Sequence, residues 1–462
     1  MTTVNDPRRE ESSAAAVSQA TGGPGLDAAA EHPLLRSIFG RRSRRIPKGL
    51  KSVPAGSLTY TSEQETQPLS QLEEAVLIAV TGATGITMPD RPFEDESGKP
   101  ILGSPNIMMP GRAAGSPDNA QAAHFFLIND TGTYFLRRLD PPEEPYRLTP
   151  ELLMERAEQS KQLLFNYRLD FPREFPYYLD SNRFVSNLPG TTILLPIVDT
   201  TEQYINGLMY LLTQEDGHRP EIIDDRNFYQ SAGVRKWVRK GFLNKEIKVP
   251  LGMAWTFRSH IEPDLLLQNL ALTLEAMGLG GWIHASVSPP FLLGHPLYNQ
   301  ETRGLGFRWQ VPRFWPMDTL RWGVPLPKVR ANPVGLDGVL EGLCPPYHSS
   351  MDKAVDALIE HKYGKTGVYT DRTYFDRIFR PGVTERYLKE VPHYVEEAIE
   401  CTKDVCTYIY EKHGRFPAHC DAMYVPGIWL QAHHVDLDYY DSLFTRGYNE
   451  NHGRHQELWH GA

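Results

Sequence analysis

A chain of 462 residues with 40% apolar and 23% charged residues has the composition of a folded protein, long enough for several domains or for one domain with large insertions. Its net charge of -9 opposes a general affinity for nucleic acid, and no apolar run reaches the roughly 18 residues that a membrane span needs, so neither nucleic acid nor membrane is an expected partner. The four cysteines, Cys344, Cys401, Cys406 and Cys420, lie in the last third, too few and too one-sided for a disulfide framework, which points to the reducing cytoplasm.

Residues 1–30 are rich in Ala, Ser, Gly, Asp and Glu, with no apolar stretch behind a basic start, so they read as a disordered tail and not as a secretory signal. LLRSIF then predicts a short helix running into a basic turn that carries Arg41, Arg42, Arg44 and Arg45 between Gly40 and Pro47. Ser70 as N-cap, Glu73 at the capping-box position and Gly82 at the exit predict a helix over QLEEAVLIAVTGA, with Leu72, Ala75, Val76 and Ala79 on its core face. Residues 88–118 read as loop, AHFFLIND as a buried strand and TYFLRRL as a second. Thr149 and Pro150 open a helix expected to run to about Tyr167, and residues 171–190 are a Pro- and aromatic-rich connection.

TTILLPIVD followed by TTEQYINGLMYLLTQ predicts a strand and then a helix, while the basic stretch near 234–248 reads as a solvated surface or a mobile lid. DLLLQNLALTLEAMGLGGW is the strongest helix signal, apolar almost all round, started by Asp264 and stopped by Gly278, Gly280 and Gly281, as suits a core or a subunit interface. From Arg330 onward the chain turns aromatic and His-rich, with helices over SMDKAVDALIEHKYG and VEEAIECTKDVCTYIYEKHG and an irregular arm over 445–462.

Three separated segments carry chemistry. In Arg41-Arg42-Ser43-Arg44-Arg45, alternate residues of an extended or turning chain can point at one phosphate, and the Ser43 hydroxyl adds a hydrogen bond. Ser116-Pro117-Asp118-Asn119-Ala120-Gln121 precedes the first buried strand. Gln268-Asn269-Leu270-Ala271-Leu272 runs through Met277-Gly278-Leu279-Gly280-Gly281-Trp282. In kind and order these segments resemble the FMN-dependent nitroreductase superfamily, with its Arg-(Arg/His)-Ser-x-(Arg/Lys) run, its Ser-x-x-Asn-x-Gln turn and its Gln-Asn-Leu-x-Leu…Gly-Leu-Gly helix. PLSQLEEAVLIAVTGATGIT with GRAAGSPDNAQ is similar in part to the branch that oxidises azoline rings.

That resemblance implies an α+β fold, a central mixed or antiparallel sheet flanked by helices, and a homodimer binding FMN, with NAD(P)H as electron donor. It assigns Arg41, Arg42 and Ser43 to the FMN phosphate, Arg45 to the flavin ring, and Ser116, Asn119 and Gln121 to the turn at the flavin edge. It places an N–H donor to flavin N5 near His284, Ala285 and Ser286, and adds Lys328 and Arg330 at the phosphate. It covers roughly 35–330, which implies an FMN-binding domain over 31–330 with an insertion at about 141–260 and a C-terminal helical extension over 331–462. Two rivals stand beside it: a flavin-binding partner protein without turnover, and a metal-dependent enzyme using the C-terminal histidines. Those histidines show no zinc-like spacing, adjacent His433 and His434 point apart, and no metal ligand is assigned.

Overall fold

The structure, a computed structural model, describes residues 23–144, 148–252, 257–298, 303–312 and 330–461. Its centre is a seven-stranded antiparallel sheet of β1 (Ala123–Asn129), β2 (Gly132–Leu136), β3 (Lys161–Phe165), β4 (Thr192–Asp199), β5 (Gly280–His284), β6 (Met423–Tyr424) and β7 (Trp429–His433). The order is β5–β7–β4–β1–β2–β3, and β6 shares the β7 edge of β4. All eight residues of β4 are buried, as its continuous apolar run requires. Pro196, with no N–H to offer a ladder, falls where β7, which pairs residues 192–194, gives way to β6, which pairs Val198 and Asp199.

Side-chain alternation sends Phe125, Leu127 and Leu194 to one face of the sheet, and Phe126, Ile128, Ile193 and Leu195 to the other. The first face carries α3 (Gln71–Thr81), α4 (Pro150–Ser160) and α6 (Glu262–Met277), joined by α1 (Gly23–Glu31), α2 (Leu34–Gly40) and α9 (Glu450–His460). On the second face the aromatic connection brings Leu169, Phe171 and Tyr178 into the core. A further core forms where α5 (Thr201–Leu212) packs on α8 (Glu396–His413), and α8 on α7 (Met351–Tyr363). The arrangement is α+β: the central sheet is antiparallel, and in a small outlying sheet Pro220–Asp224 pairs in parallel with Asn244–Pro250.

Local signals account for many boundaries. Ser70 Oγ accepts from Glu73 N while Glu73 returns a bond to Ser70 N, the capping box that starts α3. Gly278, at φ 78°, stops α6, a conformation a β-carbon would strain, and any side chain there would also collide with the Asn451 carbonyl. Tertiary packing shifts others. The buried apolar positions of α3 are Leu72, Ala75, Leu77 and Ile78, with Val76 and Ala79 only half-buried, because the helix lies against both α4 and α6.

Several sequence expectations need correction. The helix expected to reach Tyr167 ends at Ser160, because Lys161–Phe165 pairs with β2 as the edge strand β3. Within the tail expected to be disordered, Gly23–Glu31 is helical and buries Leu26, its Gly25 lying so close under the Trp459 ring that no β-carbon would fit. The basic stretch is no free lid: Trp237 and Leu243 are buried, and Asn244–Pro250 pairs with Pro220–Asp224. The arm over 445–462 contains α9, whose buried His452, His455 and Trp459 follow helical spacing with polar-looking residue types. Nor is 331–462 purely helical: it supplies β6 and β7, and β7 joins β5 to β4 inside the sheet.

Leu430, fully buried in β7, is a sensitive position. Leu430→Ala is expected to cost about 2–5 kcal/mol in urea unfolding, whereas Leu443→Ala, at a side chain 38% exposed, should cost well under half as much.

Candidate functional site

The sequence-derived residues fall into two groups at opposite ends of α6. At its C-terminal end, Arg44 N donates to Gly281 O at 3.2 Å and Arg44 Nη1 pairs with Glu275 Oε2 at 2.9 Å, laying the basic turn along the start of β5. Burial of both partners, 5% and 2% exposed, makes this a structural ion pair that anchors the turn. It leaves Arg42, Ser43 and Arg45 at the surface and Arg41 half-buried. Arg42 Nη1 folds back onto the carbonyls of Phe39 and Arg41. The Arg45 guanidinium lies 5.3 Å from the centre of the Trp282 ring, which in turn stacks on His284 at 3.9 Å.

His284 is buried, and its Nδ1 pairs with Ser286 Oγ at 2.6 Å. Burial, aided by the charges of His433 and Arg45, pushes it down to about 3, so the ring is neutral at physiological pH. Among the described residues, Trp282 Nε1 and His284 Nε2 are buried without a hydrogen-bond partner. Ala285, immediately after β5, is exposed.

At the N-terminal end of α6, Ser116 Oγ donates to Glu262 Oε1 at 2.5 Å and accepts from Gln121 N at 2.8 Å. Gln121 Nε2 donates to Asn119 Oδ1 at 2.6 Å, and Asn119 Nδ2 donates to the Met108 and Pro110 carbonyls at 2.5 and 3.2 Å. Asp118, Asn119 and Gln121 all hold positive φ, a strained turn that the predicted loop did not reveal. Glu262 and Glu275 are 13 residues apart on one helix, so the two groups are separated by about 20 Å at about 1.5 Å per residue. Arg330 is exposed beside Arg415, which donates to its carbonyl at 2.8 Å, at the Asp199 end of the sheet and away from the basic turn. Lys328 lies outside the described residues.

A cavity of about 340 Å³ opens beside the Ser116–Gln121 turn, with Arg112, Gln121, Arg138, Asp140, His361 and Tyr374 among its lining residues. Arg112 Nη1 and Arg138 Nε are buried and, among the described residues, unpartnered. Burial and the neighbouring Arg138 charge push Arg112 down to about 9, still cationic at neutral pH. Beneath them burial raises Glu262, against the pull of Ser116 and Arg112, and raises Glu202 against Arg138. Asp199 goes up to about 7 through burial and the Glu202 charge, and His124, buried beside Arg138, is held well below its usual value. Arg138 Nη1 and Nη2 are taken by Met108 Sδ and the His124 ring, so each arginine keeps one unpartnered nitrogen beside the cavity, and the two positive charges together suit a carboxylate or phosphate group.

Sequence reasoning missed Arg112, Arg138 and Glu262. The available signal was a charge set inside or directly beside an apolar pattern, as in TYFLRRL. It also read Glu73 only as a capping residue, and the fold gathers His434, His455 and His460 around that carboxylate. His413 and His419 go elsewhere, pairing with Asp224 and Asp225 at 2.8 and 2.5 Å. None of the four cysteines is in a disulfide.

No family model matches the chain, and no curated protein matches its sequence. A solved structure from Ralstonia eutropha, provisionally named a nitroreductase, aligns with 55% of this chain and 71% of its own at 14% identity and a TM-score of 0.26, too low to carry an argument. No helix among the described residues is long and apolar enough to cross a membrane.

Asp199, raised by burial, is more easily protonated in the folded than in the unfolded chain. Its contribution to stability is therefore fully present below its unfolded value and lost as pH rises through about 7. Asp199→Asn keeps an acceptor for the Thr201 N–H and hydroxyl, so melting curves from about pH 5 to about pH 8 should show the variant gaining on the parent as pH rises. A constant difference across that range would refute the assignment.

Proposed function

We propose that the protein is a homodimeric FMN-dependent oxidoreductase, moving hydride between the flavin and a small organic substrate or NAD(P)H. The observation that carries this reading is the meeting of two blocks far apart in sequence: the basic turn Arg41–Arg45 lies against the residues that follow α6, through Arg44 to Gly281 and Arg45 over Trp282. With Arg44 neutralised by Glu275, the remaining donors Arg41, Arg42, Ser43 and Arg45 form a cationic rim suited to a phosphate dianion. When bound, FMN supplies the hydride chemistry that no side chain offers.

The Ser116–Gln121 turn cannot serve the same flavin from the same chain if it stands about 20 Å along α6 from that rim. A second copy is therefore part of the reading. Leu34, Leu35, Ile38 and Phe39 on α2, 63%, 63%, 44% and 73% exposed, support one, since a row of exposed apolar side chains on a short helix favours burial against a partner. In this arrangement Arg45 would favour negative charge developing at the flavin edge. Arg112 and Arg138 would orient an anionic end of the substrate in the neighbouring cavity.

Heat release from the purified, untagged protein should yield close to one FMN per chain, and Arg42→Ala and Asn119→Ala should each reduce it. Co-expressing the two variants separates a shared site from an in-chain one. A mixed dimer then has one intact and one doubly defective site, so roughly half the occupancy returns in mixed dimers separated from the two parents. A colourless protein that refuses added FMN would overturn the reading, and mixed dimers as empty as the single variants would overturn its shared site.

A further inference from the structure

Glu73, His434, His455 and His460 come from three remote parts of the chain and meet at one point. Glu73 stands in the first turn of α3, His434 directly follows β7, and His455 and His460 lie on α9. One ligand atom from each lies within 4.8 Å of every other. The side chains of Glu73, His434 and His455 are 0%, 1% and 4% exposed, and that of His460 is 21% exposed. The three imidazole planes lie at 66°, 53° and 61° to one another, so no ring of the cluster stacks on another.

His460 Nε2 is hydrogen-bonded to Glu73 Oε1 at 3.1 Å, but two observations separate the rest of this cluster from an ordinary hydrogen-bonded one. His455 Nε2 and His434 Nε2 approach Glu73 oxygens to 2.7 and 3.4 Å, yet both nitrogens are buried without a hydrogen bond: the rings aim past the carboxylate. Around His455 and Glu73 the outer contacts are also those a metal site needs. His455 Nδ1 lies 2.8 Å from the Met277 carbonyl, which accepts its N–H and leaves the Nε2 lone pair facing inward. Glu73 Oε2 accepts from Ser70 N at 2.6 Å, leaving Oε1 to face His455 and His460. His434 Nδ1 lies 3.1 Å from the Gln456 amide, whose oxygen would accept its N–H once that amide turns over, at the expense of the 3.3 Å contact from Gln67.

We propose that these four residues bind a divalent transition-metal ion, three imidazole nitrogens and one carboxylate oxygen forming a site of the kind zinc occupies. Three imidazoles with one hard oxygen suit zinc and its neighbours over magnesium or calcium, and four protein ligands in a buried setting suit a structural ion. A crevice of about 150 Å³ lined by Lys48, Gln64, His455 and Gln456 gives access from the surface. The bound ion clamps α9 to the start of α3 and to the end of β7. The proposal does not depend on the flavin.

The test is metal analysis of the full-length protein after loading with zinc and dialysis, together with cobalt(II) titration of chelator-treated protein followed by its visible d–d bands. The expected result is about one ion per chain and a melting temperature raised by several degrees. Glu73→Gln keeps the side-chain shape, and His460→Ala removes the most exposed ligand. Each should lower affinity by about tenfold or more while the protein still folds. Zinc-loaded parent protein with no retained metal, no cobalt spectrum and no melting shift would overturn the site. So would full retention in both variants.

Discussion

Helix α6 carries a buried carboxylate near each end, and much of the molecule is arranged to satisfy the two. An isolated carboxylate in an apolar interior is strongly unfavourable, so each must find hydrogen bonds or a counter-charge. Glu262 is met by the Ser116 hydroxyl, the Ala123 N–H and the charges of Arg112 and Arg138. Glu275 is met by the Arg44 guanidinium and the Asn449 amide. The basic turn, the strained turn before β1 and the segment that starts α9 are thereby fixed against one rigid helix, and the functional groups beside them inherit their positions.

The two ends differ in what is left over. At Glu275 one arginine is consumed, and three others with a serine remain near the surface, a surplus of positive charge suited to an anionic ligand. At Glu262 the compensation is less direct, because the arginines lie close enough to interact yet each keeps one unpartnered nitrogen beside a cavity. Burial there works against both signs, lowering Arg112 and raising Asp199, Glu202 and Glu262. Such opposed groups in one enclosed place are more common at working sites than in structural cores.

The C-terminal third closes the fold. β7 inserts between β5 and β4, and α9 crosses the helical face with Trp459 over Gly25 and His455 against the Met277 carbonyl. Glu73 sits where these pieces converge, capping its own helix through Oε2, which His434 also approaches, and facing His455 and His460 through Oε1.

Local chemistry was legible in the sequence. The capping box of α3, the Thr149–Pro150 start of α4, the apolar run of β4 and the glycine stop of α6 are each encoded within a few neighbouring residues, and each appears where expected. The helix Glu450–His460 was not legible, because its buried face is made of histidines and a tryptophan that composition reads as polar or irregular. Strand β7 was also hidden, since WLQAHH becomes a central strand only when β4 and β5 are present to pair with it. The sequence by itself marked the basic run Arg41–Arg45 as a candidate for an anion and gave no notice of Arg112 and Arg138. The tertiary structure alone decided that Arg44 is consumed by Glu275, that the two candidate groups sit at opposite ends of one helix, and that Glu73 meets three histidines. Those outcomes depend on distances between segments hundreds of residues apart, which burial and charge neutralisation fix only when the whole chain has folded.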